Sequence, residues 1–510
     1  MKKTKLISIF FLVFAVIALF FLIDKIGNIP KDITVNFQNK KHLPISKEKI
    51  ITEDVLDEIY TYNLDVKTEE EIIKVTKRIF PNDDYMIFIE AQKANNSDPI
   101  RVSLPVDGKL KRQYRLDNSV EEIYPYRKPR ALEDPLSTRM DYLQFHEASL
   151  MLGPQIYYND ISEADEDGHI SHVLDFQREV KQVEIEEGEI HFTIDFDQEE
   201  EHYSTWMMFS EEGLFENEDD FRDAHAIGVD EFRWITPSSL WSHGLTTIHP
   251  SSETAFIRSL VRQSGRSSSI KLANQPTRFW ENMSRHQFVS LELSRNEDGL
   301  WYSDYISTWL QNNYGIGAHY VDSRHNDNIF RGQLRRADLL GYTEYLQEVA
   351  VYADFLLAMA EEGFVIEVED TYYIIDYFNF EHKTHVSLNH ALSIINYLYD
   401  AYLQTANEKY LASAEDQLKA IEKMEADWIN SEDGEVNYQL NLDGTVSAKD
   451  YNLVTYYDLL YTQKLREEIS LEKSLSIENI LKAKEDNLQK LDIVIEGNME
   501  NVEDFIGLIE

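Results

Sequence analysis

The chain has 510 residues, long enough for more than one domain and a large core. It contains no cysteine, which excludes a disulfide framework, a thiolate metal site and a cysteine nucleophile. With 49 basic and 92 acidic residues it carries a net charge of -43, which repels nucleic-acid phosphates and points to a strongly solvated surface.

The first residues, MKKTKLISIFFLVFAVIALFFLIDKIGN, set Lys2, Lys3 and Lys5 before an unbroken apolar run over residues 6–23. At about 1.5 Å per residue such a run reaches roughly 27 Å, the thickness of bilayer hydrocarbon. No small-x-small cleavage signal follows it. Residues 1–27 therefore read as a signal anchor, a single transmembrane helix in the cell membrane, with the bulk of the chain extracytoplasmic. Residues 28–50 are polar with two prolines and read as a linker.

Residues 51–278 read as a mixed N-terminal region. Between residues 52 and 80, Val55, Ile59 and Tyr62 recur at turn spacing. Ile72, Ile73, Val75 and Ile79 follow before Pro81, which predicts helices. KLKRQYRLDNSVEEIYPYRKPR, from Lys109, is the cationic stretch of an acidic chain and reads as a solvated face. Over about 170–236 the pattern alternates. Val183, Ile185, Ile190, Phe192, Ile194 and Phe196 stand at period two around Glu-Glu-Gly, which predicts a β-hairpin in a β-rich module. EADEDG, Glu163 to Gly168, imitates the start of a calcium loop, but Leu174 occupies the closing glutamate position, so it reads as an acidic turn.

From 279 the periodicity becomes helical. Tyr302, Ile306, Trp309 and Leu310 make one apolar stripe, YTEYLQEVAVYADFLLAMAEEG a long helix ended by Gly363, and SLNHALSIINYLYDAYLQT and NEKYLASAEDQLKAIEKMEADWI two more. Their uneven starts, near 342, 387 and 407, disfavour a fixed-period solenoid. Aromatic or Asp-Gly turns separate them, so residues 279–468 read as an α/α toroid (an incomplete α/α barrel). Residues 469–510 read as an acidic, accessory helical tail. The fold class is an α+β multidomain chain: transmembrane anchor, β-rich middle, C-terminal toroid.

Two polar clusters stand out. YFNFEHKTHVSLNH carries Glu381, His382, His385, Asn389 and His390 into a helix whose first residue follows Ser387, a natural N-cap. Asn389 and His390 then sit at the positive end of the helix dipole. NNYGIGAHYVDSRHNDNIFRGQLRRADLL carries His319, Tyr320, Asp322, Arg324, His325, Arg331, Arg335 and Arg336. Paired arginines hold carboxylates, and a tyrosine or histidine beside them moves protons. The histidines do not stand at zinc spacing, and no H-E-x-x-H, G-x-S-x-G, Walker or dinucleotide motif occurs, so neither a metal nor a cofactor is expected.

YGIGAHYVDSRHNDNIFRGQLRRADLLGY and SLNHALSIINYLYDAYLQTANEKYLASAEDQL, within about 300–465, resemble segments of the glucuronyl C5-epimerase family, membrane-anchored enzymes acting on uronic-acid polysaccharides. The family's Gly-Trp-Tyr before the second segment is Thr384, His385 and Val386 here. The resemblance implies proton abstraction at C5 of a uronic acid, by an epimerase or a lyase, with a base and an acid flanking the sugar and cations on its carboxylate. Tyr320, His325, His385, His390 and Tyr451 are then the proton-transfer candidates. Arg331, Arg335, Asn389 and Glu381 are the substrate-binding candidates. Two further readings stand beside it: a glycoside hydrolase using Glu381 and Asp450 as opposed carboxylates, and a non-enzymatic cell-envelope binding or scaffold protein. The expected partners are a polysaccharide and, through residues 6–23, the lipid bilayer.

Overall fold

A computed structural model describes residues 33–64, 73–93, 98–106, 108–116, 136–186, 188–216, 231–244, 247–263, 266–430 and 434–506. The apolar run at 6–23 and most of the basic stretch beyond Leu116 lie outside them. No helix among the described residues is long and apolar enough to cross a membrane.

Two compact units share the chain discontinuously. The first comprises Met1–Asp160, Asp175–Pro237 and Thr277–Asn282, the second Ile161–Leu174, Ser238–Pro276 and Met283–Glu510. In chain order the strands of the first unit are β1 (Thr34–Phe37), β2 (Lys40–His42), β3 (Ser46–Thr52), β4 (Val55–Tyr62), β5 (Ile73–Ile79), β6 (Tyr85–Gln92), β7 (Ile100–Pro105), β8 (Arg112–Leu116), β9 (Met140–Gln144), β10 (Ser149–Leu152), β11 (Gln155–Asp160), β12 (Val173–Val180), β13 (Val183–Glu186), β14 (Glu189–Ile194) and β15 (His202–Ser210). One sheet runs β13-β14-β7-β1-β2. The other runs β12-β11-β15-β6-β5-β4-β3, with β10, β9 and β8 continuing from β15. Both sheets turn side chains into one core: Val35, Val102, Ile190 and Phe192 from the first, Tyr60, Val75, Ile89 and Tyr203 from the second. Of residues 28–50, taken from sequence as a linker, the stretch from Thr34 onward thus supplies β1, β2 and most of β3.

Among the described residues of 52–80 strands stand in place of the expected helices; β4 and β5 pair antiparallel there, from Leu56↔Ile79 to Tyr62↔Ile73. The alternation is hidden because β4 is buried on both faces, and the face opposite that core carries a polar residue. Asp57 is buried, and its carboxylate takes Arg78 Nε at 2.8 Å and Nη2 at 2.7 Å. An apolar count reads that position as outward, whereas the bidentate ion pair allows its burial. The hairpin expected at 183–196 forms, with Val183↔Phe192 and Glu186↔Glu189 in register and Gly188 at φ +89 in its turn.

The second unit is mainly helical. Its α-helices longer than one turn are α1 (Arg266–Asn274), α2 (Arg278–Ser294), α3 (Thr308–Tyr314), α4 (Ser323–Leu340), α5 (Val349–Glu361), α6 (Leu388–Thr405), α7 (Glu408–Lys423), α8 (Val454–Glu468) and α9 (Leu475–Lys490). α6 packs against both α4 and α8, and α5, α7 and α9 each fold back outside the inner helix they follow. Burial explains the layering. Every residue of α6 from Leu388 to Tyr399 is buried, as a helix enclosed on all sides requires, whereas α7 and α9 each keep a solvated face. Gly341 ends α4 at φ +80 and returns its N–H to Ala337, a conformation that favours glycine.

Three expectations for this region change. α3 begins only at Thr308, so Tyr302 and Ile306 lie before it rather than on its stripe. A boundary at 279 falls within α2. The tail is no appendage: Ile477, Ile480, Leu488 and Val502 join the same buried cluster as Leu392, Ile395 and Trp428.

Candidate functional site

The inner helices are entered from short strands, and these place the polar residues of their first turns. Val321–Asp322 pairs with Tyr377–Phe378 and leads into α4; Val386–Ser387 pairs with Asn437–Leu440 and leads into α6. Asp322 caps α4, accepting the His325 N–H at 2.9 Å, with its other oxygen 3.5 Å from His325 Nδ1. Ser323 N donates to the Asp376 carbonyl at 3.0 Å, and Ser323 Oγ lies 2.8 Å from His390 Nδ1. Arg324 ties the three inner helices together, donating to Asp458 on α8 at 2.7 Å and to the Asn389 carbonyl on α6 at 2.7 Å.

Asp376 is the centre of this arrangement. Fully buried, its carboxylate accepts the Ser387 N–H at 3.0 Å and the Ser387 hydroxyl at 2.6 Å, so Ser387 begins α6 in extended backbone but spends its side chain on Asp376. Asp376 Oδ2 lies 3.3 Å from His385 Nε2 and 3.9 Å from His390 Nδ1. Both His385 ring nitrogens are buried and neither has a hydrogen-bond partner. Burial lowers the His385 pKa to about 4. Burial, with Arg324 and His385 adding, holds His390 well below its usual value, and burial pushes Asp376 well above the carboxylate range. At neutral pH both imidazoles are therefore uncharged proton acceptors.

Rings surround His385. Tyr314 stacks on it at 5.6 Å, Trp309 meets it edge-on at 5.2 Å, and Tyr377 and Tyr438 lie at 5.8 and 6.2 Å. Tyr438 continues to Tyr451 at 5.4 Å. The ends of this row reach solvent: Trp309 is 39% and Tyr451 45% exposed.

The residues singled out from sequence separate into groups. Tyr320, His325, His385, Asn389 and His390 gather at the N-terminal ends of α4 and α6. Tyr320 is buried against Tyr305 and Tyr377, and burial keeps its phenol protonated. The Asn389 side-chain oxygen is buried without a partner. Tyr451 ends the ring row. Glu381 is exposed on the preceding loop, its N–H bonded to Asn379. Asp450 is buried against Lys484 Nζ at 2.7 Å, and burial pushes it up to about 6.

Arg331 and Arg335 do not join the histidines. At about 1.5 Å of rise per residue they lie roughly 10–17 Å along α4 from Arg324, and both are committed to acids. Arg331 binds Asp327 at 2.6 Å and also Asp400, and Arg335 binds Asp504 at 2.9 Å. They line a separate cavity of about 620 Å³ between the later turns of α4 and α6.

Asp376 and the rings Tyr314, Tyr377 and Tyr438 escaped the sequence reading. The available signal was Asp376 itself, the lone charged residue in TYYIIDYFNF. Among the described residues no cluster of three or more His, Asp or Glu side chains is arranged to hold a metal. In EADEDG the Asp165 carboxylate accepts N–H groups of Asp167, His169 and Ala318, which makes it a turn.

No family model and no curated protein matches the sequence. Solved structures similar to it include the glycoside hydrolase family 76 mannosidase Bt3792 from Bacteroides thetaiotaomicron VPI-5482, 12% identical over 53% of this chain and 72% of that one, with a TM-score of 0.36. The cellobiose 2-epimerase from Bacillus thermoamylovorans B4167 is 13% identical over 45% of this chain and 60% of that one, with a TM-score of 0.35. A D-mannose isomerase is 13% identical over 45% of this chain and 58% of that one, with a TM-score of 0.32.

Proposed function

We propose that the helical unit is a carbohydrate-active enzyme that moves a proton on a sugar held across the ring row, with His385 as the base. One observation carries this reading. An imidazole kept neutral by burial stands among stacked rings, its Nε2 3.3 Å from Asp376 Oδ2 and neither of its nitrogens spent on a hydrogen bond. Aromatic faces bind the C–H faces of pyranoses, and a row with two solvent-exposed ends suits a substrate longer than one ring. A proton on Nε2, facing Asp376, leaves Nδ1 as the acceptor. The proton removed is one beside a carbonyl or carboxyl group, which describes epimerases, isomerases and lyases.

Uronic acid is the narrower form of this reading. It needs a cation to neutralise the substrate carboxylate, and Arg324, the arginine among the mouth residues described above, already serves Asp458. The panel therefore includes neutral sugars. In deuterium oxide the purified chain is incubated with alginate, heparosan, mannobiose and cellobiose. Solvent deuterium entering carbon is followed by NMR, unsaturated uronate by ultraviolet absorbance, and new reducing ends by colorimetry. Deuterium incorporation or unsaturation that falls at least 100-fold in His385→Asn, with unchanged circular dichroism, is the expected result. Equal turnover by that variant excludes His385 as the base.

Hydrolysis is the second reading, favoured by the raised pKa of Asp450 next to Tyr451, as a general acid requires. New reducing ends without deuterium at carbon, abolished by Asp450→Asn, would select it. Binding without any turnover would leave a non-enzymatic carbohydrate-binding protein.

A further inference from the structure

The cavity that holds Arg331 is built from groups the ring row does not use. Along α6, about 1.5 Å of rise per residue places Gln404, at the cavity, roughly 21 Å from His390. Its floor is a charge-compensated plane. The Arg331 guanidinium lies 5.4 Å from both the Tyr397 and Tyr461 rings, and Asp400 accepts the Tyr461 hydroxyl at 3.0 Å as well as Arg331. Beside it stands Asn328, 9% exposed and lining the cavity, and Arg331 Nη2 is buried without a hydrogen-bond partner. A buried donor without a partner is expensive unless a ligand or water completes it.

We propose that this cavity is a second ligand site, selective for a neutral mono- or disaccharide. An Asn amide, a carboxylate and a guanidinium offer both donors and acceptors to vicinal hydroxyls. Leu339 and Leu403 at the rim, 37% and 44% exposed, offer apolar contact to the C–H face of a sugar. Anions are disfavoured: Asp338, Asp400 and Glu503 line the space, while both arginines there are already paired. The volume of about 620 Å³ falls within the range of small-molecule sites.

Saturation-transfer difference NMR tests this with mannobiose, cellobiose and glucuronic acid as probes. The full chain is compared with Asn328→Leu, with Leu403→Trp, which fills the rim from an exposed position, and with His385→Asn, which alters only the ring row. At least one neutral disaccharide should bind the wild type and His385→Asn alike, at least tenfold more weakly in Asn328→Leu and Leu403→Trp, and glucuronic acid should not displace it. The proposal is overturned if no neutral probe binds the wild type, if both cavity variants bind normally, or if glucuronic acid competes. Loss of binding in His385→Asn alone also overturns it, and in that case the reading of the ring row survives.

Discussion

At His385 burial and protonation oppose each other, and the sign can be worked out. The unfolded imidazole titrates at its ordinary 6.5 and the folded one at about 4. Between those values the unfolded chain binds more protons, so stability rises with pH across that window and is fully present above pH 6.5. At about 1.4 kcal/mol per unit this amounts to about 3 kcal/mol. Asp376, raised by burial, works in the opposite direction over part of the same range, so the difference between two proteins is the informative quantity. The melting temperature of the wild type should fall more steeply from pH 6.5 to pH 4 than that of His385→Phe. Parallel curves would show that the imbalance does not exist. His385 and His390 were legible as candidates because histidines beside a helix N-cap are conspicuous. Asp376 was not, because a single acid in an apolar run reveals its role only when a strand pairing sets it behind Ser387.

Single elements were legible where their faces were chemically uniform and obscure where an ion pair interrupted them. The 183–194 hairpin and α6 follow their apolar patterns directly. β4 and β5 do not, since Asp57 and Arg78 occupy buried places on their other face. This gives a test at the scale of the element. Removing one partner leaves the other charge buried, so Asp57→Ala should destabilise the first unit by about 3–5 kcal/mol. Replacing both, as Asp57→Leu with Arg78→Met, restores an apolar pair and should recover most of that loss, although Arg78 also donates to the Pro237 carbonyl at 2.9 Å. Urea unfolding of the three proteins measures it. A double variant as unstable as Asp57→Ala would mean that strand pairing here depends on the ion pair itself.

For the molecule as a whole, the least legible property was which stretches belong together. Composition and periodicity change near residue 279, yet the helical unit also takes Ile161–Leu174 and Ser238–Pro276 from the earlier half. These pieces end in polar contacts at the approach to α3 and α4. Ser171 Oγ accepts the Ile306 N–H at 3.0 Å, and Asp165 accepts the Ala318 N–H at 2.9 Å. Val173, Ile248, Ala255 and Ile257 form a small buried cluster against which Tyr305 packs. A fragment spanning 279–510 keeps every long inner helix but loses those partners, leaving two backbone donors and an apolar face uncovered just before Trp309 and Tyr320. Its far-ultraviolet circular dichroism should stay helical. Limited chymotrypsin digestion should cut it first between residues 302 and 320, at the tyrosines, Trp309 or Leu310, where the full chain should resist, and carbohydrate turnover should be lost with the ring row. A fragment that resists digestion there as well as the full chain does would show that the earlier segments are dispensable to the site.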